Sequence, residues 1–195
     1  MSQHIEIEFK NLLTKTQYEQ LLRAFSIRDE QIHRQINHYF DTPEQHLKNL
    51  ASGLRIRIFD HAIECTLKEK SAEHQHLETT DMLTTAQAEE MIAGKSIPAP
   101  AVVARLQQLQ VPMEHLHMFG SLTTNRVDIP YKGGTLVFDH SFYLQCDDYE
   151  VEYETNNETF GKNIFQQFLT EFDIKPQQTP KKIARFMMAL TQQKG

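Results

Sequence analysis

The sequence predicts an α+β protein in which about eight antiparallel strands are preceded, interrupted and followed by helices. Three observations lead there. Six of the candidate strands alternate a large apolar face with a face rich in charge of both signs, the period-two pattern of a strand with unlike faces. Helix signals cluster in a few places instead of recurring after every strand, so no βαβ rhythm is expected. The chain has 195 residues, 39% hydrophobic and 24% charged, which suits one globular domain with a substantial core.

In "HIEIEFK" (4–10), Glu6, Glu8 and Lys10 share one face while Ile5, Ile7 and Phe9 share the other. A helix follows, with Thr16 and Glu19 as a capping box and Tyr18, Leu21, Leu22 and Phe25 as its apolar stripe. "RQINHYFDT" (34–42) is a strand with Ile36, His38 and Phe40 on one face and Gln35, Asn37, Tyr39 and Asp41 on the other. Thr42-Pro43 should open a short helix carrying Leu47 and Leu50, stopped by Gly53. "LRIRIF" (54–59) and "AIECTLKEK" (62–70) form a hairpin around Asp60-His61, and "QHLETT" (75–80) ends the first group of strands.

A helical insertion is expected at about 84–112, with Thr84 and Gln87 as a capping box, Gly94 as a C-cap, and Pro98, Pro100 and Pro112 as punctuation. Three strands follow at 118–129, 134–142 and 146–154, the first two joined through Lys132-Gly133-Gly134. C-terminal helices at about 157–192 complete the chain. One is marked by Phe160, Ile164, Phe165, Phe168, Leu169 and Phe172; the other starts at Thr179-Pro180 and carries Ile183, Phe186, Met187 and Leu190. Residues 1–195 are read as a single domain.

Composition narrows the partners. A net charge of −6 argues against binding nucleic acid by bulk electrostatics, yet leaves room for an anionic ligand at a local basic cluster. No apolar run of membrane-spanning length and no signal-peptide pattern is present. With two cysteines, Cys65 and Cys146, and no C-x-x-C, neither a disulfide framework nor a thiolate zinc site is suggested. A cytoplasmic protein, monomeric or homodimeric, is expected.

The repeated charged face recurs through Arg55 and Arg57, through Glu64, Thr66 and Lys68, through Arg126 and Asp128, in Asp139, and through Glu150, Glu152 and Glu154. Two architectures accommodate it: an open sheet wetted on one face, or a closed barrel with the charges inside and the apolar residues under helices. The dominance of Arg and Glu over Thr, Ser and Gln tilts the balance towards the barrel, because these residues suit phosphate and metal.

"EIEFK" resembles the E-x-E-x-K signature of the CYTH superfamily, the triphosphate tunnel metalloenzymes. The resemblance continues in order through "YFDT", "LRIR", "TLK", "HLE", the arginine of "TTNR", "FD", "EVEYE" and the late "PKKIARF", and it is nearest to the small single-domain YjbK-like subtype. It implies a closed eight-stranded antiparallel β-barrel, a tunnel with a charged interior, that takes a small-molecule linear triphosphate and requires Mg²⁺ or Mn²⁺. No helical CHAD extension is expected.

Carried over by matched motif, Lys10, Arg55, Arg57, Lys68, Arg126 and Lys182 would bind phosphate. Arg forks suit bidentate phosphate contact, and Lys acts as a point charge. Glu6, Glu8, Asp139, Glu150 and Glu152 would hold the metal, since carboxylate oxygens suit a hard cation. Lys68 and Glu78 are the candidate catalytic residues. Thr124 stands where many members carry the lysine of K-x-R, which puts substrate preference in question, and Lys181 could replace Lys182. The activity implied is metal-assisted, in-line attack of water on a terminal phosphorus. The alternatives are a class IV-type adenylate cyclase and a non-catalytic sensor of triphosphate or polyphosphate. The pairs His74/His76 and His115/His117 are read as surface or tunnel-mouth residues, and Cys146, which shares the parity of Glu150, is read as a residue that could face the tunnel.

Overall fold

In a computed structural model, which describes residues 2–193, the alternating stretches become eight strands. These are β1 (Ser2–Leu13), β2 (His33–Asp41), β3 (Ser52–Ile58), β4 (Ile63–Lys70), β5 (Gln75–Met82), β6 (His117–Tyr131), β7 (Gly134–Tyr143) and β8 (Cys146–Thr155). They close into an antiparallel barrel in the order β1-β5-β4-β3-β2-β6-β7-β8. Burial decides against the wetted open sheet. Glu8, Asn37, Glu78, Asp139, Glu150 and Glu152 are all buried, although they lie on the polar faces of their strands. The helices are α1 (Lys15–Ala24), α2 (His46–Asn49), α3 (Thr85–Ile92), α4 (Pro100–Gln108), α5 (Glu158–Glu171) and α6 (Lys182–Gln193).

The chain divides into two compact units, one of Met1–Ile5 with Gln35–Ser121 and the other of Glu6–Arg34 with Leu122–Gly195. In the first, Phe40, Leu54, Ile56, Cys65 and Leu67 of the strands pack against Ala88 and Met91 of α3 and Val102 and Leu106 of α4. The Thr84–Gln87 capping box opens α3, and Gly94 takes the left-handed conformation (φ 71°) just beyond its end. The N-terminus of α4 lacks a cap of its own, and a strand supplies one: Asp81 Oδ2 accepts from the Ala101 and Val102 amides at 2.7 and 3.0 Å. Arg105 then forks onto Glu69 of β4 at 2.8 and 2.9 Å, fixing α4 against the strands.

In the second unit, Phe9, Val127, Phe138, Val151 and Tyr153 form one side of a core whose other side is Tyr18 and Leu21 of α1 and Ile164, Phe165, Phe168 and Leu169 of α5. Gly161 permits the close seating of α5, because a Cβ there would lie 2.4 Å from the Thr155 side chain. The β6–β7 turn uses Lys132 and Gly133, both at positive φ, which matches the right-handed twist of the strands they join. Phe168 is fully buried among the rings of Phe25, Phe138 and Phe172. Phe168→Ala should therefore cost about 3–5 kcal/mol and lower the melting temperature by about 10 °C in thermal denaturation followed by circular dichroism. An unchanged melting temperature would contradict this core assignment.

Three boundaries differ from the sequence expectation. Helix α1 starts two residues early because Thr14 and Gln17, rather than Thr16 and Glu19, form the reciprocal capping box. Helix α2 is a single short turn, since both oxygens of buried Asp41 accept amides at its start, from Leu47 and Lys48, while Gly53 pairs with Lys68 inside the β3–β4 ladder instead of stopping the helix. Helix α6 starts at Lys182, not at Thr179-Pro180, because the Thr179 hydroxyl accepts from the Leu12 amide at 3.0 Å and so ties that segment to β1.

Candidate active site

Each unit carries a set of charged side chains on the buried polar face of its strands. In the second unit, strand register builds the set directly. Arg126, Asp139 and Glu150 stand opposite one another across β6, β7 and β8, and Lys10 of β1 stands opposite Glu152. The Arg126 guanidinium forks onto Asp139 at 2.8 and 2.6 Å and reaches Glu152 at 2.9 Å. Lys10 Nζ lies 3.0 Å from Glu8 and 3.2 Å from Glu152. From the start of α6, Lys182 Nζ contacts Asp139 at 2.8 Å and Glu152 at 2.9 Å, and it donates to Glu150 as well.

Burial on its own lowers the pKa of each of these cations, but the surrounding carboxylates outweigh it. Lys10 is raised by Glu152, Glu8 and Glu150, Lys182 by Asp139, Glu150 and Glu152, and Arg126 by Asp139 and Glu152. All three stay charged. The acids divide. Burial raises the Glu152 carboxyl, but Lys182, Lys10 and Arg126 together hold it well below the ordinary range. Burial wins at Glu150, which is pushed up to about 7 against the pull of Lys182. Glu154, under Glu8 in the register, is likewise pushed up to about 7 by burial, against Arg126 and with the help of Glu152 and Glu6.

Asp139, Glu150 and Glu152 are all buried and present carboxylate oxygens that lie within 4.8 Å of one another. Three convergent hard-oxygen donors fit a divalent cation of the Mg²⁺ or Mn²⁺ type. Glu8 and Asp148 lie alongside, on Lys10 and Arg185 respectively.

The first unit carries the other set. Glu78 of β5 pairs with Lys68 of β4 in the register, and its Oε1 lies 3.6 Å from Lys68 Nζ and 3.7 Å from Arg55 Nη2. Burial raises the Glu78 carboxyl, but Arg55, Lys68 and Arg57 bring it below the usual carboxylate value, so it is ionised at neutral pH. Arg57 Nε donates to Asn37 Oδ1 at 2.9 Å. Arg guanidinium and Lys ammonium groups gathered on one strand face are the side chains that suit phosphate oxygens.

A family model for the CYTH domain matches residues 4–187. The chain belongs to the CYTH family. It is 39% identical over 186 residues to a Bacillus subtilis protein named "Putative triphosphatase YjbK", covering 95% of this chain and 96% of that one. Among solved structures, one from Bacillus halodurans, called a "putative adenylate cyclase", superposes with a TM-score of 0.91 at 35% identity over 95% of this chain and 99% of that one. A Hippeastrum protein, described as an adenylyl cyclase candidate with a dominant triphosphatase activity, has the same fold with a TM-score of 0.79 at 24% identity, covering 95% of each chain.

Within this CYTH chain, the matched residues separate into the two sets just described, and Glu6 is placed beside Glu154 in the second. Two members of that set had no assignment from sequence. Asp148 lies on the same strand parity as Glu150 and Glu152, and Arg185 sits three residues after Lys182, on the same side of a helix; both signals were present in "DDYEVEYE" and "PKKIARF". Thr124, in the lysine slot of the family pattern, is fully buried and its hydroxyl lies 3.2 Å from that of Ser141. His76 is buried rather than at the surface, because it shares the strand parity of Glu78. Cys146 is exposed, because it closes the β7–β8 turn opposite Tyr143.

Proposed function

We propose that this CYTH chain is a divalent-metal-dependent triphosphatase that cleaves a linear triphosphate, inorganic triphosphate or a small ester such as thiamine triphosphate, by in-line attack of water on a terminal phosphorus. The observation that carries this reading is the buried Asp139–Glu150–Glu152 cluster, since anion binding alone gives no reason to bury three converging carboxylates. The name of the 39%-identical relative points the same way.

Asp139, Glu150 and Glu152, with Glu8 and Glu6 from β1, would hold Mg²⁺ or Mn²⁺. When bound, the ion supplies Lewis-acid polarisation of phosphoryl oxygens. Lys10, Arg126 and Lys182 rest on carboxylates in this structure, and exchanging those partners for phosphate oxygens keeps each cation paired. Arg55, Arg57 and Lys68 neutralise non-bridging oxygens, and positioning plus electrostatic stabilisation supply most of the acceleration. Glu78, ionised beside three basic groups, would accept a hydrogen bond that orients the attacking water, whose protons leave with the products, and Lys68 would stay charged and donate a hydrogen bond to the leaving oxygen.

A second reading, cyclisation of ATP with release of pyrophosphate, draws on the name of the 35%-identical structure. Turnover of inorganic triphosphate, thiamine triphosphate and ATP, each with Mg²⁺, Mn²⁺ or chelator and with products identified, separates the readings. Orthophosphate release that stops on chelation is expected. Cyclic AMP and pyrophosphate from ATP alone would favour the cyclase. Metal-independent triphosphate binding by folded protein without turnover would favour a sensor.

A further inference from the structure

We propose that Arg185 is a positioning residue that presets Glu150 for the divalent cation, a role that rests on the metal-dependent reading above. The side chain is buried, with 8% exposure, and three residues of the same unit engage its guanidinium. Nε and Nη2 fork onto Asp148 at 2.8 and 3.1 Å, while Nη1 donates to Glu150 Oε2 and to the Pro180 carbonyl, both at 2.6 Å. Asp148 is itself held from a second side, because the Tyr143 hydroxyl donates to its Oδ2 at 2.6 Å.

The consequence for Glu150 is an asymmetric carboxylate. Oε2 is committed to Arg185, whereas Oε1 is turned to Lys182, the cation that also touches Asp139 and Glu152. One oxygen is anchored and the other is presented to the cluster. A fork fixed on Asp148 sets the height and tilt of Nη1, so the Glu150 rotamer is decided before any cation arrives. Groups that orient a ligating carboxylate in this way typically affect metal affinity about 10–100-fold. Lys182 differs in kind. It is a point charge resting on all three cluster carboxylates, free to exchange them for another anion, whereas four of the five N–H donors of Arg185 are taken up by Asp148, Glu150 and the Pro180 carbonyl.

The test is Mn²⁺ binding to substrate-free protein, measured by electron paramagnetic resonance of the free ion. Arg185→Met should remain folded by circular dichroism and bind Mn²⁺ about 10–100-fold more weakly. Arg185→Lys should recover only part of the loss, because one ammonium cannot hold Asp148 and Glu150 in a fork. In a Glu150→Gln background, Arg185→Met should cost nothing further, since its effect runs through that carboxylate. Wild-type Mn²⁺ affinity in folded Arg185→Met, or an equal additional loss in the Glu150→Gln background, would overturn the role of Arg185 while leaving the metal-dependent reading intact. Failure of the wild-type protein to take up Mn²⁺ would sink both. Should Arg185→Met not fold, Asp148→Asn weakens the fork alone: a loss of about 10-fold, the low end of such effects, supports the proposal, and unchanged affinity refutes it.

Discussion

Glu152→Gln should reduce metal-dependent triphosphate turnover by about a thousandfold or more, equivalent to about 4 kcal/mol of transition-state stabilisation. The substitution keeps the shape of the side chain and removes its charge. Glu152 is the point at which the second unit's set converges: it accepts from Lys10 at 3.2 Å, Arg126 at 2.9 Å and Lys182 at 2.9 Å, and contributes to the three-carboxylate cluster. Removing it weakens the cation site and leaves three basic groups with fewer partners, so raising the Mg²⁺ concentration should restore only part of the rate. The check is steady-state kinetics over a Mg²⁺ titration, with circular dichroism to establish folding. Near-wild-type kcat/KM would show that this carboxylate is neither a metal ligand nor an organiser of the basic residues.

Arg126→Met should both destabilise the protein and disable it. Asp139 is fully buried, and two of its three close contacts come from the Arg126 fork. Taking the guanidinium away leaves Lys182 to balance a desolvated carboxylate, a loss of the kind that costs about 3–5 kcal/mol. Urea denaturation should show a lowered midpoint with an unchanged slope. Turnover per folded molecule should fall by about 10²–10³-fold, because the proposed phosphate ligand and the partner that holds Asp139 are lost together. Undiminished stability would mean that Asp139 is neutral or solvated, contrary to the ion pair that this fully buried carboxylate makes with Arg126.

The strands and the parity of their charged residues were legible because the pattern has a period of two and recurs along the chain. Arg55, Arg57, Lys68, Arg126, Asp139, Glu150 and Glu152 all fall on the faces that alternation assigned to them. Alternation alone could not separate a wetted sheet from a closed barrel, since both require one apolar and one polar face. Ordered family motifs favoured the barrel, and the burial of Glu8, Asp139 and Glu150 is its physical counterpart. Helix starts were less legible because Thr14/Gln17 and Thr16/Glu19 are both acceptable capping boxes in sequence, and tertiary ties such as Leu12 to Thr179 selected between reasonable starts elsewhere. Arg185 was missed for a related reason. Its spacing from Lys182 placed it on the correct side of α6, but only the fold shows that its guanidinium turns onto Asp148 and Glu150. Parity also misplaced Cys146, where strand alternation continues formally into the residues of an exposed turn.

The central claim is that water attacks a terminal phosphorus of a linear triphosphate under the control of these charged faces. Hydrolysis of inorganic triphosphate in ¹⁸O-labelled water with Mg²⁺, with mass analysis of both products, tests it most directly. The account predicts one ¹⁸O atom in orthophosphate, none in pyrophosphate, and no turnover when the cation is chelated. Label appearing in pyrophosphate would place the attack on the central phosphorus and contradict the mechanism, and the absence of any Mg²⁺-dependent cleavage of inorganic triphosphate, thiamine triphosphate or ATP by the folded protein would contradict the enzyme reading itself.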